Sequence, residues 1–337
     1  MFVVVLENQR YDVTFGARTP ALYLADTLAP AGALLRRYYA TGHYSLDNYI
    51  AMISGIAPDS ATQADCPVYE NFRQTGVAPD GQPVGRGCVY PAHVPTIANQ
   101  LAAAHRSWKG YMEDMGNDPA RESATCGHPR LGASDRTETA TPTDQYAAKH
   151  DPFVYFHAII DSASCAANVV PLSRLAGDLA SAERTPNLVF ISPDLCHDGH
   201  DARCADGEQP GGLGSADRFL SRLVPLITRS PAFRDGLLIV TFDEAGDDDA
   251  TACCDEPTGP NTTRPGISGP GGGRTGAVLL SPFIQAGTVS DVPYNHYALL
   301  KSIEQIFGLP FLGYAGRPDL AGFGADVYAA GPAAPPR

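Results

Sequence analysis

An α/β protein built on a doubly wound, mostly parallel sheet flanked by helices is the fold class this sequence predicts, and three observations predict it. Short apolar, β-branched runs recur at residues 2–8, 187–192, 237–244 and 276–281. A continuous apolar run of that length reads as a strand buried on both faces, as parallel strands are. Helical patterns lie between the runs, and strands alternating with helices give a parallel sheet. Two of the runs also stop on polar pairs, Glu7-Asn8 and Asp243-Glu244. Open sheets of this class bind ligands at the carboxyl ends of their strands.

The elements follow in order. After the first strand, residues 19–38 carry leucines at helical spacing and predict a long helix. Residues 46–54 predict a second helix stopped by Gly55. Residues 56–92 are rich in Gly, Pro and Cys and predict an irregular excursion. A helix over 96–105 leads into a strand at 107–111, and 115–145 is polar and turn-rich, a candidate cover for a site. Strands are predicted at 153–160 and 187–192, and an amphipathic helix at 215–230. Residues 245–274, dense in Asp, Gly and Pro, predict a mobile loop. The strand at 276–281 and a helix at 297–307 complete a single domain over 1–328, with 329–337 a disordered tail. No internal repeat is present.

The 337 residues are 44% hydrophobic, enough for a substantial core. A formal charge of −13 argues against a nucleic-acid partner and against electrostatic attachment to anionic membranes. It leaves phosphate substrates open, because a local cation reverses the field within a site. Eight cysteines without zinc-finger spacing point to disulfide-stapled loops in an exported protein, extracellular or periplasmic. Cys66 with Cys88 and Cys196 with Cys204 are candidate bridges. Cys253 and Cys254 either pair with distant partners or with each other. No leader precedes the first strand, so a removed signal peptide or a late start is expected. No run reaches the ~20 apolar residues a spanning helix needs, and a monomer without membrane insertion is expected.

Glu7, Asn8, Asp243 and Glu244 would gather three carboxylates and an amide at adjacent strand ends. They repel one another unless a cation sits among them, and oxygen-rich sites suit hard or borderline divalent ions: Zn, Ca, Mg or Mn. Ser45 falls at the start of the second helix, where N–H groups and the helix dipole favour an anion. A serine becomes a nucleophile when a base or metal lowers its pKa, and Asn48, one turn on, can donate to a phosphate oxygen. Residues 193–201 place His197, Asp198 and His200 after a strand, too polar a cluster for core packing. His296 opens the last helix and His150 precedes a predicted strand. Both are phosphate-contact candidates, as are His43 and His197. His93, His105 and His128 read as surface residues, and His157 as a weak candidate inside a strand.

At these residues the chain resembles the bacterial phosphoesterase family of the alkaline phosphatase superfamily. That family includes secreted acid phosphatases, phosphatidylinositol-phosphate phosphatases and phospholipase C enzymes. Glu7-Asn8-Gln9-Arg10-Tyr11-Asp12 is similar to its Glu-Asn-aromatic-Asp opening, and His43-Tyr44-Ser45-Leu46-Asp47-Asn48-Tyr49 to its His-Pro-Ser-Leu-Pro-Asn-Tyr. Trp108–Glu113, Tyr146–Pro152, Asp194–Asp201, Thr241–Glu244 and Asn295–Tyr297 match in order. Ser45-Leu46-Asp47-Asn48 also resembles the Thr-Phe-Pro-Asn of nucleotide pyrophosphatase/phosphodiesterases, where the Thr is the nucleophile. The chain departs from the pattern at Tyr44 and Asp47, where the family has prolines.

The resemblance implies an alkaline-phosphatase-like fold. It also implies a divalent metal held by Glu7, Asn8, Asp243, Glu244 and Ser45, with Ser45 as phosphoryl acceptor. Asp198, His200 and His296 look like the superfamily's second-metal or phosphate ligands, and His200 is the first choice for acid–base work. The expected function is that of a secreted, metal-dependent phosphoric monoester hydrolase working through a phosphoserine. The expected partner is a phosphate-ester small molecule or a phospholipid headgroup. The alternatives are a phospholipase C-type phosphodiesterase and a non-catalytic exported protein that binds metal or phosphate.

Overall fold

The structure, a computed structural model, describes residues 1–200 and 203–328. Eight strands form one sheet: β1 (Phe2–Leu6), β2 (Ala33–Leu35), β3 (Trp108–Met112), β4 (Val169–Pro171), β5 (Leu188–Ser192), β6 (Leu238–Phe242), β7 (Ala277–Leu280) and β8 (Thr288–Ser290). Their order is β8-β2-β7-β6-β1-β5-β3-β4. Only β7 runs against the others, pairing antiparallel with β6 and β2. The sheet is therefore mixed but mostly parallel, as the buried apolar runs predict.

Alternation along β1 divides the core. Val3 and Val5 face helices α1 (Ser45–Ser54) and α2 (Ile97–Ala103), whose Tyr49, Ile50 and Leu101 share one apolar cluster with them. Phe2, Val4 and Leu6 face the opposite layer, where α3 (Gly212–Thr228) contributes Leu213, Leu220 and Val224. Helix α4 (His296–Phe307) returns to the first layer with Leu299, Leu300 and Ile303. The sheet is covered on both faces, which is why its central strands lack polar alternation.

Several expectations need correction. The long helix over 19–38 is broken. A six-residue π-helical stretch, Tyr23–Leu28, passes into the short turn Ala29–Ala31, and β2 begins after Gly32. A Cβ on Gly32 would lie 2.0 Å from the Leu279 carbonyl oxygen, so close passage beside β7 overrides the helical leucine spacing. The strand over 153–160 is instead a 3₁₀ turn, Pro152–Tyr155, followed by a helical turn, His157–Ile160. Asp151 accepts from the Phe153 N–H and Pro152 sits in the first turn, an N-terminal signal that a purely apolar reading passes over. The excursion 56–92 contains an antiparallel hairpin, Arg73–Val77 with Pro83–Arg86. Residues 115–145 and 245–274 carry no helix or regular strand. Residues 329–337 lie outside those described.

Four disulfides staple the loops: Cys66–Cys88, Cys126–Cys165, Cys196–Cys204 and the adjacent pair Cys253–Cys254. The Cys126–Cys165 bridge is not legible in the sequence spacing. No helix among the described residues is long and apolar enough to cross a membrane.

Candidate active site

Strand register builds the site. Strands β1 and β6 run parallel with Phe2 opposite Leu238 and Leu6 opposite Phe242. One step further, the same register sets Glu7 beside Asp243 and Asn8 beside Glu244. Asn8 leaves the strand with φ 47°, a conformation asparagine tolerates better than most side chains. Its N–H donates to Asp243 Oδ1 at 2.9 Å and its side-chain amide to Glu244 Oε1 at 2.6 Å. The Glu7 N–H donates to the Asp198 carbonyl, tying in the loop after β5.

Ser45 opens α1, and its hydroxyl donates to Glu7 Oε2 at 2.6 Å. Tyr49, on the same helix face one turn on, donates to Glu7 Oε1 at 2.6 Å. His150 Nε2 lies 3.3 Å from Glu7 Oε2, and its ring stacks on Tyr49. Lys149 pairs with Asp65 Oδ2 at 3.0 Å, while Asp65 Oδ1 accepts from the Leu46 N–H in the first turn of α1. Burial lowers the Lys149 pKa, but Asp65 and Glu7 outweigh it and hold the ammonium above its ordinary range. Sequence reading missed Tyr49, Asp65 and Lys149. The available signals were the four-residue spacing from Ser45 to Tyr49 and the position of Lys149 beside His150.

Three buried carboxyls meet here with little compensating charge. Burial raises the pKa of Glu7, while hydrogen bonds from Asp243, Ser45 and Tyr49 and the charge of Lys149 work against it. Burial and the charge of Glu7 hold Asp243 well above the carboxylate range, and burial and Asp243 do the same to Glu244. Such a group is neutralised either by protons or by a cation. Buried Asn8 Oδ1 and Asp243 Oδ2 accept no hydrogen bond from an N–H or hydroxyl group of the described residues. A hard divalent cation would neutralise such crowded carboxyls and take up those two oxygens, and Glu7, Asn8, Ser45, Asp243 and Glu244 are the residues that could hold it.

The histidines divide. His43 Nδ1 lies 2.9 Å from Glu244 Oε2, and Nε2 lies 3.0 Å from the Asp249 carbonyl oxygen. A carbonyl only accepts, so Nε2 carries the proton and the ring braces Glu244. His200 is exposed beside buried Asp198, whose Oδ1 accepts the His200 N–H at 2.9 Å. His93 and His105 are exposed as expected, whereas His128 is half-buried and stacks on Tyr69. His157 begins a helical turn rather than lying in a strand, and it bonds Asp161 and Asn71.

Three assigned residues hold protein groups instead of facing a substrate. His296 is fully buried, with Nε2 donating to the Asp243 carbonyl and Nδ1 accepting from the Tyr38 hydroxyl at 3.0 Å. Burial lowers its pKa to about 4, so it is neutral, and it supports Asp243 from behind. His197 faces Glu113 and Asp194, each 3.1 Å from Nδ1, and stacks on Phe219. Burial lowers its pKa, but the two carboxylates outweigh that and push it up to about 10. The Gln209 amide nitrogen lies 2.7 Å from His197 Nε2, and the Arg218 guanidinium donates to Gln209 Oε1 at 3.2 Å. Asp194, Cys196 and His197 are close enough to share a metal, but the Cys196 sulfur is bonded to Cys204. Asn48 Oδ1 accepts from the Thr41 and Gly42 N–H groups, and its amide donates to the Gly42 and Tyr44 carbonyls. Asn48 is thus committed to shaping the loop that delivers Ser45.

Asp47 is buried, and neither of its oxygens has a hydrogen-bond partner among the described residues. Burial, then the charges of Glu244 and Asp65, hold it well above the ordinary carboxylate range. It packs against the backbone of Gly42, where a Cβ would come within 2.3 Å of its carboxyl oxygen.

A model of the Phosphoesterase family matches residues 7–310. The phosphate-repressible acid phosphatase of Penicillium chrysogenum is 28% identical over 85% of this chain and 54% of its own length. The acid phosphatase of Aspergillus fumigatus is 25% identical over 85% of this chain and 51% of its own length. The chain thus spans about half the length of these fungal relatives. The phosphatidylinositol-3-phosphatase of Mycobacterium tuberculosis is 24% identical over 93% of this chain and 78% of its own length. Among solved structures, Ps i-CgsB superposes with a TM-score of 0.52 at 14% identity, covering 95% of this chain and 74% of the other. Human ectonucleotide pyrophosphatase / phosphodiesterase 5 gives 0.50 at 9% identity, covering 95% and 99%. At those identities the structural likeness concerns the fold alone.

Proposed function

The chain belongs to the Phosphoesterase family, and from that premise we propose that it hydrolyses phosphoric monoesters with Ser45 as the phosphoryl acceptor. One observation carries the reading: the Ser45 hydroxyl donates at 2.6 Å to Glu7 Oε2, within a cradle of three buried carboxyls. The acid phosphatase names of the fungal relatives support monoester rather than diester chemistry.

Ser45 Oγ attacks phosphorus in line, its proton leaving toward Glu7 Oε2. The O–P bond to serine forms as the bond to the leaving oxygen breaks, and exposed His200 is the candidate that protonates that oxygen. Water then releases phosphate from the serine. N–H groups in the first turn of α1 and the Lys149 ammonium supply positive potential toward the equatorial oxygens. A divalent cation held by Glu7, Asn8, Asp243, Glu244 and Ser45 would supply Lewis acidity and lower the serine pKa. His43 and His296 fix two of those ligands from outside. Four disulfides support an exported protein folding in an oxidising compartment.

Replacing Ser45 with Ala tests the reading. Turnover of a chromogenic phosphate monoester should fall by at least ~10³-fold with the melting temperature preserved. Retention of wild-type turnover would remove Ser45 from the mechanism.

A further inference from the structure

Tyr44 is the one exposed residue in a buried run. Thr41, Gly42 and His43 before it and Ser45 through Asn48 after it are all buried, yet Tyr44 is 48% exposed. Its backbone sits at φ 72°, ψ 138°, a region that a bulky L-residue occupies only at a cost. Proline, the family's residue here by the sequence resemblance, has φ fixed near −65° and cannot take this conformation. Hydrogen bonds from Asn48 to the Gly42 and Tyr44 carbonyls brace the strained turn. The chain thus keeps a large aromatic ring at the surface, one residue before the proposed nucleophile, in a conformation glycine would adopt without strain.

We propose that Tyr44 is a specificity-determining residue whose ring receives the leaving group of the ester, selecting aryl and other planar leaving groups over alkyl ones. The inference rests on Ser45 being the phosphoryl acceptor. In-line displacement sends the leaving oxygen away from Ser45 Oγ. Oγ is itself turned inward to Glu7, so the leaving group projects away from Glu7, and Tyr44, adjacent to Ser45 in the chain, is the exposed side chain available to receive it. A planar group there stacks on the phenol face and keeps its polar edges in water. The net charge of −13 also disfavours polyanionic leaving groups, leaving neutral planar ones as the better match.

Three proteins decide it: wild type, Tyr44→Phe, which keeps the ring, and Tyr44→Gly, which removes the ring but accepts the positive φ. The kinetic readout is the ratio of kcat/KM for phenyl phosphate to that for ethyl phosphate. The binding readout is calorimetric affinity for phenylphosphonate relative to methylphosphonate, neither of which is turned over. Both ratios should fall about three- to tenfold in Tyr44→Gly and stay at wild-type values in Tyr44→Phe. Equal ratios in all three proteins would overturn the assignment. A wild type that hydrolyses neither ester overturns the proposed function, and the phosphonate ratio then still decides whether Tyr44 selects planar groups.

Discussion

His296 shows how a residue can matter to the site without touching substrate. The sequence places it as a phosphate or second-metal ligand, because a histidine opening a strong helix beside a matching motif carries that signal. Burial turns it inward, onto the Asp243 carbonyl and the Tyr38 hydroxyl. The expected consequence is indirect: His296→Phe should weaken divalent-metal affinity about 10–100-fold, as loss of an outer-shell partner does. Calorimetric metal titration checks this, and unchanged affinity would remove His296 from the support of Asp243. The cradle residues Glu7, Asn8, Asp243 and Glu244 were legible because each pair ends an apolar run. Direction was not: nothing in the sequence distinguishes a histidine facing a ligand from one facing a carbonyl. For the same reason His197 and Asn48 read as ligands although they hold Glu113, Asp194 and the 41–44 loop.

Among the elements, α4 carries a pH signal of its own. Near its end, buried Glu304 accepts the Leu312 N–H at 2.8 Å, and burial raises its pKa from 4.5 to about 8. The folded chain therefore holds a proton that the unfolded chain releases above about pH 4.5. The contribution to stability is full below that pH and is lost as pH rises through about 8. Glu304→Gln keeps an acceptor for Leu312 and removes the titration. Melting curves should place the variant level with wild type in acid and a few degrees above it past pH 8, on the order of 1–3 kcal/mol. A parallel pH profile in both proteins would show that Glu304 does not titrate in this window. Elements were legible where one signal dominated: the buried runs of β1, β5 and β6, and Gly55 at φ 70° closing α1. They were not legible where tertiary packing overrode local pattern. Gly32 passing against the Leu279 carbonyl ends a helical leucine series, and Pro152 with its Asp151 cap turns an aromatic run into a 3₁₀ turn.

For the whole molecule, sheet order decides where chemistry sits. The first strand lies between β6 and β5, so two segments 236 residues apart in sequence meet as neighbours at the Asn8 side-chain contact with Glu244. Helix α1 then lays Ser45 on Glu7 from the layer above. Four disulfides hold the loops, of which Cys126–Cys165 could not be inferred because its partners stand 39 residues apart with no spacing motif to link them. The proposal that these parts act together as a phosphoryl-transfer site is tested most directly by trapping the intermediate. Enzyme turning over a phosphate monoester is quenched in acid, digested and mapped by mass spectrometry. The account predicts phosphate on the peptide carrying Ser45, and none on that peptide from Ser45→Ala. Steady turnover with phosphate on another residue, or with Ser45 never modified, would contradict it.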